Sequence, residues 1–168
     1  FAMPFNASMA WKPELGTQVL VLDKDDLSRR RVFELPPFFF FHLGDAWEDA
    51  DGTLRFDACL DENPFGTAAN AGALLRGKAI RAAPPSRALI TLRADGRAEL
   101  ARETVSAEFP RSDPRFAGLA RRYSVHVTNE RPDRPLFQSV AVRDWKKDSD
   151  QVFDFGPRHL VEEMVFVP

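Results

Sequence analysis

Three histidines occur in the sequence, and His42 has the most unusual neighbours. It follows the run 38–41, which consists of four consecutive phenylalanines. If this stretch is a strand, alternate side chains share a face, so His42 is expected to lie on the same side as Phe38 and Phe40. A buried neutral imidazole needs partners for both ring nitrogens, and a carboxylate, a backbone carbonyl or a metal ion can supply them. From this pattern alone His42 is expected to be a hydrogen-bonded core histidine, with a metal ligand as the alternative.

Glu108 is the carboxylate that best suits such a histidine. It precedes Phe109 and Pro110 in a stretch whose composition indicates burial, and a buried carboxylate needs a hydrogen-bond donor. A histidine N–H would satisfy that need. No second histidine or carboxylate stands at a recognised zinc-motif spacing from His42, so a metal site would have to be assembled from distant segments.

The other reactive side chains have ordinary surroundings. His126 lies in an alternating strand pattern and His159 in a turn-rich stretch, so both are expected to be partly exposed. Cys59 ends an apolar strand with no base beside it, which favours inert packing. The acidic residues that follow the phenylalanine run are expected to be solvated. They are Asp45, Glu48 and Asp49.

Composition excludes several classes of function. The 168 residues are 44% hydrophobic and include 15 Phe, which is enough for the core of one globular domain. The net charge of −2 gives no reason to expect nucleic acid as a partner. One cysteine cannot form an internal disulfide, so the cytoplasm is the expected compartment. No apolar run reaches the roughly 18 residues of a membrane span. A phosphate-binding glycine loop and a Gly-x-Ser-x-Gly elbow are both missing, and we predict no catalytic acid or base.

The elements that must position these residues are mostly strands. Thirteen Pro and nine Gly punctuate short runs rich in Val, Leu and Phe, which is typical of strands joined by turns. Three hairpins are predicted: 18–23 with 31–35, 38–44 with 53–59 around Asp51-Gly52, and 88–93 with 98–103 around Asp95-Gly96. Further strands are predicted at 122–128, 137–144, 151–155 and 161–167. A helix is predicted at 65–75, which is rich in Ala and Leu.

Successive hairpins with a short helical insertion predict an all-β fold. An antiparallel meander such as the blades of a propeller fits this pattern, and a β-sandwich fits it almost as well. At roughly 40 to 50 residues per blade, the chain would supply three to four blades of a larger ring. No linker divides the sequence, and both ends look cut, so residues 1–168 are expected to form a single partial domain.

Three ordered motifs resemble segments of the carotenoid cleavage oxygenases, the family that includes apocarotenoid and stilbene cleaving dioxygenases. Residues 39–49, FFFHLGDAWED, are similar to the family's aromatic-x-Phe-His-x-x-Asn-Ala-aromatic-Glu segment, with Asp45 in place of the usual Asn. Residues 107–111, AEFPR, are similar to its Glu-Phe-Pro-Arg element, and residues 163–168, EMVFVP, to its Glu-Pro-x-Phe-Val-Pro element. Residues 11–16, WKPELG, resemble bacterial members.

The resemblance implies a seven-bladed β-propeller with iron(II) on the ring axis, held by four histidines from different blades. Carried over to this sequence, His42 is the third iron ligand, Glu108 holds its ring, and Glu163 holds the ring of the fourth histidine. Phe38 and Phe40 become candidates for lining a substrate tunnel, with core packing as the alternative. The other three ligand histidines have no counterpart here, which implies an interior segment of the enzyme.

The implied reaction is cleavage of a conjugated carbon–carbon double bond by O2 to give two carbonyl products. The implied cofactor is Fe(2+), and the partners are O2 and a lipophilic carotenoid, apocarotenoid or stilbene. Peripheral contact with a membrane is compatible with such a substrate, and no obligate protein partner is implied. Two other hypotheses stay open. One is a catalytically inactive propeller fragment or binding module, and the other is a β-sandwich that binds carbohydrate or protein through exposed Trp11, Trp47 and Trp145.

Overall fold

Antiparallel sheets dominate the computed structural model, which describes residues 8–78, 83–129 and 136–167. Among these residues one α-helix, α1 (Pro64–Leu75), lies between the fourth and fifth strands, and short 3₁₀ helices cover Pro13–Leu15 and Pro114–Phe116. The all-β class with a short helical insertion is therefore confirmed. The strands are β1 (Thr17–Leu22), β2 (Arg30–Leu35), β3 (Phe39–Glu48), β4 (Leu54–Asp61), β5 (Ser86–Leu92), β6 (Ala98–Ser106), β7 (Glu108–Arg111), β8 (Tyr123–Thr128), β9 (Ser139–Asp144) and β10 (Ser149–Asp154).

The strands form three sheets that follow one another along the chain. β1 and β2 make a two-stranded sheet, and two four-stranded sheets have the orders β3-β4-β5-β6 and β7-β8-β9-β10. Every pair of neighbouring strands is antiparallel and consecutive in sequence. This succession agrees with the predicted meander.

The turn between β5 and β6 shows why the predicted hairpins form. Arg93 N–H donates to the carbonyl of Arg97 at 2.8 Å, and the Asp95 carboxylate accepts the Arg97 N–H at 3.1 Å. Gly96 has a φ of 90°, in the left-handed region that residues with a Cβ rarely adopt. The hairpins β1–β2 and β3–β4 also lie where they are predicted.

Helix α1 begins at a cap that the sequence supplies. The side chain of Asn63 accepts a hydrogen bond from Phe65 N–H at 3.0 Å, and Pro64 occupies the first turn, where an N–H has no helical partner. The predicted helix at 65–75 is thereby confirmed. No helix of the described residues is long and apolar enough to cross a membrane.

The apolar core lies between the β1–β2 sheet and the β3–β6 sheet. Phe33 on β2 and Leu60 on β4 are each 1% exposed, and burial of a side chain of this size contributes about 1.5–3 kcal/mol. Val19 and Val21 of β1 pack against this cluster from its edge. The buried members of the core are Phe33, Leu35, Phe38, Ala58, Leu60, Ala88, Ile90 and Leu92.

The opposite face of the β3–β6 sheet meets the β7–β10 sheet through polar side chains. Arg87 on β5 donates to the Asp150 carboxylate on β10 at 2.7 Å, although the Arg87 side chain is only 2% exposed. Asp57 on β4 is likewise buried on this face. One sheet therefore has an apolar interface on one side and an ionic interface on the other.

Two elements differ from the sequence prediction. β7 is a strand that the pattern does not indicate, because it has four residues and contains Pro110. Residues 161–167 are predicted as a strand, and this prediction is wrong. Val161 N–H donates to the carbonyl of Phe137 at 2.9 Å, but no described strand pairs with the segment that follows, and Val165 and Val167 are exposed. Apolar alternation produces a strand only where a neighbour offers a backbone edge.

Candidate metal centre

The structure brings His42 and Glu108 into direct contact across β3 and β7. His42 Nδ1 lies 2.7 Å from Glu108 Oε2, although 66 positions separate the two residues in the sequence. The imidazole is 38% exposed, whereas the Glu108 side chain is 7% exposed. A buried carboxylate therefore anchors a ring whose other edge faces outward.

An irregularity in β3 decides the direction of His42. Phe40 pairs with Leu60 and His42 pairs with Cys59, so Phe41 is an extra residue between two consecutive partners on β4. Such a bulge interrupts the simple alternation of side chains. His42 shares the face of Cys59, and the expectation that His42 lies on the same side as Phe38 and Phe40 is wrong.

Phe38 and Phe40 accordingly have different surroundings from His42. Phe38 is buried in the apolar core between the first two sheets, where it belongs to the same cluster as Phe33. The ring of Phe40 lies 6.2 Å from that of Phe38 and is partly exposed. Core packing therefore describes Phe38, and Phe40 keeps an accessible apolar surface.

Strand β7 holds Glu108 in a strained local conformation. Glu108 Oε2 also accepts the N–H of Phe109 at 2.6 Å, and Phe109 has a φ of 51°, which is unusual for a residue with a side chain. Glu108 pairs with Val127 and Arg111 with Val125, so β7 has an extra residue opposite β8. The Phe109 ring packs 4.7 Å from the His42 ring, so this conformation supports the imidazole from its side.

The electrostatics of Glu108 reflect its burial. Burial raises the pKa of Glu108 above its ordinary value, and the Phe109 N–H and His42 oppose this shift. When Glu108 is ionised it can only accept, so Nδ1 of His42 carries the shared proton and Nε2 keeps a lone pair. Within the described ranges, Nε2 of His42 has no hydrogen-bond partner, and the second oxygen of Glu108, Oε1, has none either.

This arrangement has the donor chemistry of a metal-binding histidine. Such histidines bind the ion through one ring nitrogen while a carboxylate or carbonyl holds the other. Among the residues that the structure describes, no three His, Cys, Asp or Glu side chains converge closely enough to hold a metal ion. A complete centre built on His42 would need donors from outside this part of the chain.

Glu163 lies in the segment after β10 and contacts Arg111. Arg111 Nη2 donates to Glu163 Oε2, and both side chains are about half exposed. β7 therefore begins with the carboxylate that holds His42 and ends with the arginine that holds Glu163. Sequence reasoning did not single out Arg111, although it belongs to the AEFPR motif.

A buried ion pair near His42 was also missed from the sequence. The guanidinium of Arg121 donates to the carboxylate of Asp57, and their side chains are 5% and 2% exposed. The same guanidinium stacks over the Trp47 ring at 4.5 Å. Gly44 lies directly against this carboxylate. Gly44 itself is the sequence signal for this contact, because a glycine inside a predicted strand indicates a bulge or the close approach of another group.

His126 is buried, and the prediction that it is partly exposed is wrong. Its side chain is 1% exposed, and Nε2 accepts a hydrogen bond from Arg87 Nη1 at 3.2 Å. Burial lowers the pKa of His126 to about 4, and the positive charge of Arg87 adds to this effect. His126 is thus a neutral component of the ionic interface between the two four-stranded sheets.

The remaining candidates are placed as follows. His159 is exposed, as predicted. Cys59 is buried, and burial together with the nearby charge of Glu108 raises the pKa of its thiol, which fits inert packing. Asp49 accepts a hydrogen bond from Arg55 at 2.6 Å, and Asp45 accepts one from Ser112 at 3.2 Å.

The tryptophans do not form an exposed stacking platform. Trp47 is buried, and its ring lies 6.5 Å from that of Trp145. Trp145 is partly buried and donates through Nε1 to Ser124 Oγ at 3.0 Å. Trp11 is also partly buried. Trp47 is therefore not available as the exposed platform that the β-sandwich hypothesis requires, whereas Trp11 and Trp145 keep part of their surface.

Comparison with known proteins identifies relatives over nearly the whole chain. A family model described as retinal pigment epithelial membrane protein matches residues 2–168. No sequence among the curated proteins is a match. Several solved structures are similar, among them forms of the apocarotenoid oxygenase (ACO) of Synechocystis.

Cobalt-substituted Synechocystis ACO has a TM-score of 0.75 and 18% sequence identity, with 90% of this chain and 32% of that chain covered. A single-residue mutant of the same ACO has a TM-score of 0.74 and 17% identity, with 95% of this chain and 33% of that chain covered. An ACO/RPE65 chimera has a TM-score of 0.70 and 16% identity, with 89% and 31% covered. The chain thus spans about a third of the length of these structures and shares the fold of that part.

Proposed function

We propose that this chain is part of an iron(II)-dependent dioxygenase. The proposal starts from its membership of the retinal pigment epithelial membrane protein family, which is the family of the carotenoid cleavage oxygenases. The full-length protein cleaves a conjugated carbon–carbon double bond of a carotenoid, apocarotenoid or stilbene-like substrate with O2 and releases two carbonyl products. The three sheets are consecutive blades of a seven-bladed propeller, and residues 1–168 are an interior part of that domain. The enzyme is cytoplasmic and can take its lipophilic substrate from a membrane surface.

The contact between His42 and Glu108 is the observation that carries this proposal. A carboxylate that is 7% exposed holds Nδ1 of the imidazole at 2.7 Å, and the opposite ring nitrogen is directed away from that contact. A core histidine would use both nitrogens inside the protein, whereas a metal ligand needs one of them free. His42 therefore suits an iron(II) centre, and the other ligands come from segments beyond those described here.

The chemistry follows from a donor set of neutral nitrogens. Iron(II) held by neutral imidazoles would offer open positions for O2, and this all-nitrogen donor set differs from that of centres with two histidines and one carboxylate. The residues of this chain orient the imidazole. Glu108 keeps the proton on Nδ1 and leaves Nε2 as the donor atom, and the Phe109 ring packs beside the imidazole.

Glu163 has a parallel role in this proposal. We assign it the ring of the fourth histidine, and Arg111 holds one of its carboxylate oxygens. Because β7 carries both Glu108 and Arg111, one short strand sets the positions of two carboxylates.

An apolar substrate agrees with the side chains around β3. Phe40, Phe41 and Leu43 keep partly exposed apolar surface, and Phe40 stays a candidate for lining the substrate path. Phe38 lies in the apolar core, so we do not propose it for that role. The proposed reaction requires no proton transfer from this chain.

Substitution of the ligand in the full-length protein tests the proposal. His42→Ala is expected to reduce cleavage of an apocarotenoid or stilbene below detection, while His159→Ala, which changes an exposed histidine of the same chain, retains cleavage. Product aldehydes are measured chromatographically under O2 with added Fe(II). Full activity of the His42→Ala variant would end the proposal.

A further inference from the structure

The backbone of β3 is irregular on both sides of His42. The pairing with β4 shifts once between Phe40 and His42 and again between Leu43 and Ala46. Only two residue pairs, His42 with Cys59 and Leu43 with Ala58, lie between the shifts. The direction of the imidazole therefore depends on what holds these two irregular points in place.

The second irregular point is built around the side chain of Asp57. Because Leu43 pairs with Ala58 and Ala46 with Phe56, Asp57 lies opposite both Gly44 and Asp45. Its Oδ1 accepts the Asp45 N–H at 3.1 Å.

Gly44 is required by this close approach. A Cβ placed on Gly44 would lie 2.0 Å from Asp57 Oδ1 and 2.4 Å from Cγ, far inside van der Waals contact. The carboxylate thus occupies the space that any other residue at position 44 would need.

Arg121 keeps the carboxylate in that position. It precedes β8, so it reaches Asp57 from the neighbouring sheet, and the ion pair is almost completely buried. Its Nη1 lies 3.6 Å from Asp45 Oδ2, and the guanidinium stacks on the ring of Trp47. Trp47 pairs with Arg55, which lies two residues before Asp57 on β4. A buried ion pair is a poor source of stability, since desolvation offsets the attraction, but it fixes geometry.

We propose that Asp57 and Arg121 are positioning residues for His42. The carboxylate of Asp57, held by Arg121, fixes the bulge at Gly44 and Asp45, and this bulge together with Glu108 sets the direction of the imidazole. The inference rests on the proposed role of His42 as an iron ligand, but the orientation of the ring can be measured without metal. Asp57 and Arg121 act through the backbone of β3 and do not touch the reacting atoms.

Two measurements on the full-length protein test this inference. The first is the ¹H–¹⁵N spectrum of the His42 imidazole in metal-free protein, which reports the bond from Nδ1 to Glu108. The second is metal binding, which has two readouts: the visible spectrum with cobalt(II) as probe and the retention of Fe(II) against a chelator. The variants are Gly44→Ala, Asp57→Ala and the double variant. Asp57→Asn keeps the shape of the side chain if the alanine variant does not fold.

Gly44→Ala and Asp57→Asn are expected to shift the His42 ring signals, change the cobalt(II) spectrum and weaken Fe(II) retention about tenfold. Because Asp57→Ala makes room for the Cβ of Ala at position 44, adding Gly44→Ala to it is expected to cause little further change. The control is Asp144→Asn, which alters the neighbouring Arg122–Asp144 pair and should leave all three readouts unchanged.

The outcomes separate this inference from the proposed function. Unchanged His42 signals in folded Gly44→Ala and Asp57→Asn variants would overturn the positioning role, even if their melting temperatures fall. Additive effects in the double variant would overturn it as well. Failure of the unmodified protein to bind Fe(II) or cobalt(II) would contradict the proposed function. Shifted His42 ring signals in the Gly44→Ala and Asp57→Asn variants would then still support the coupling between Asp57 and His42.

Discussion

His42 and Glu108 form a hydrogen bond of 2.7 Å between the first strands of two consecutive four-stranded sheets. The bond joins a half-exposed imidazole to a buried carboxylate, so the interior of the protein fixes a ring that faces out of it. This relationship places the candidate donor atom at the junction of two sheets.

Glu108→Gln is expected to weaken iron retention in the full-length protein by about 10- to 100-fold. The amide is a poorer acceptor than the carboxylate and no longer favours the proton on Nδ1, so Nε2 is a less basic donor. Iron per chain is measured after dialysis against a chelator. The matched control is Glu99→Gln, which removes an exposed carboxylate paired with Arg93. Equal retention in both variants would argue against a role for Glu108.

The isolated 168-residue chain is expected not to hold iron stoichiometrically. One imidazole offers little chelation, and the described residues bring no three metal-binding side chains together. Metal analysis of the purified chain after incubation with Fe(II) and gel filtration checks this. About one tightly bound iron per chain would show that the ligand set assumed for the full-length protein is wrong.

Arg87→Met is expected to destabilise the fold by about 3 kcal/mol, because the carboxylates of Asp150 and Glu103 at a sheet interface lose their nearest cation and keep only the more distant Arg143. Arg93→Met, which breaks an exposed pair with Glu99, should cost less than about 1 kcal/mol. The midpoint of denaturant unfolding distinguishes the two. Equal losses would mean that the ionic interface contributes no more than a surface pair.

The buried His126 predicts a loss of stability in acid. Burial and the charge of Arg87 lower its pKa from 6.5 to about 4 in the folded state. Between these values the unfolded chain takes up a proton on this histidine and the folded chain does not, so stability falls as the pH drops through this window. The full difference is about 3 kcal/mol.

Comparison with His126→Gln isolates this contribution, because all other groups titrate in both proteins. The unfolding free energy of the unmodified protein should fall by up to about 3 kcal/mol relative to that of the variant between pH 6.5 and 4. Parallel pH profiles would show that His126 does not titrate in this window.

The sequence predicts well those features that depend on neighbouring residues. The Asp-Gly turns and the Asn63 cap are local, so the hairpins and helix α1 were predictable. The meeting of His42 with Glu108 was expected from two motifs, and their contact agrees with that expectation.

Features that depend on distant partners were not predictable in the same way. The bulge at Phe41 reverses the face of His42, and it is visible only in the pairing with β4. The burial of His126 depends on Arg87, which is 39 positions away. The segment 161–167 has the composition of a strand but lacks a described strand beside it.

The position of the metal in the full-length protein tests the central claim most directly. Crystals of the protein loaded with Fe(II) can be measured at the iron absorption edge, and the anomalous difference map locates the ion without reference to activity. We expect a single peak within bonding distance of His42 Nε2, with Glu108 Oε2 still bonded to Nδ1. An iron peak away from His42, with the imidazole directed into solvent, would contradict the assignment of this chain to an iron-dependent oxygenase.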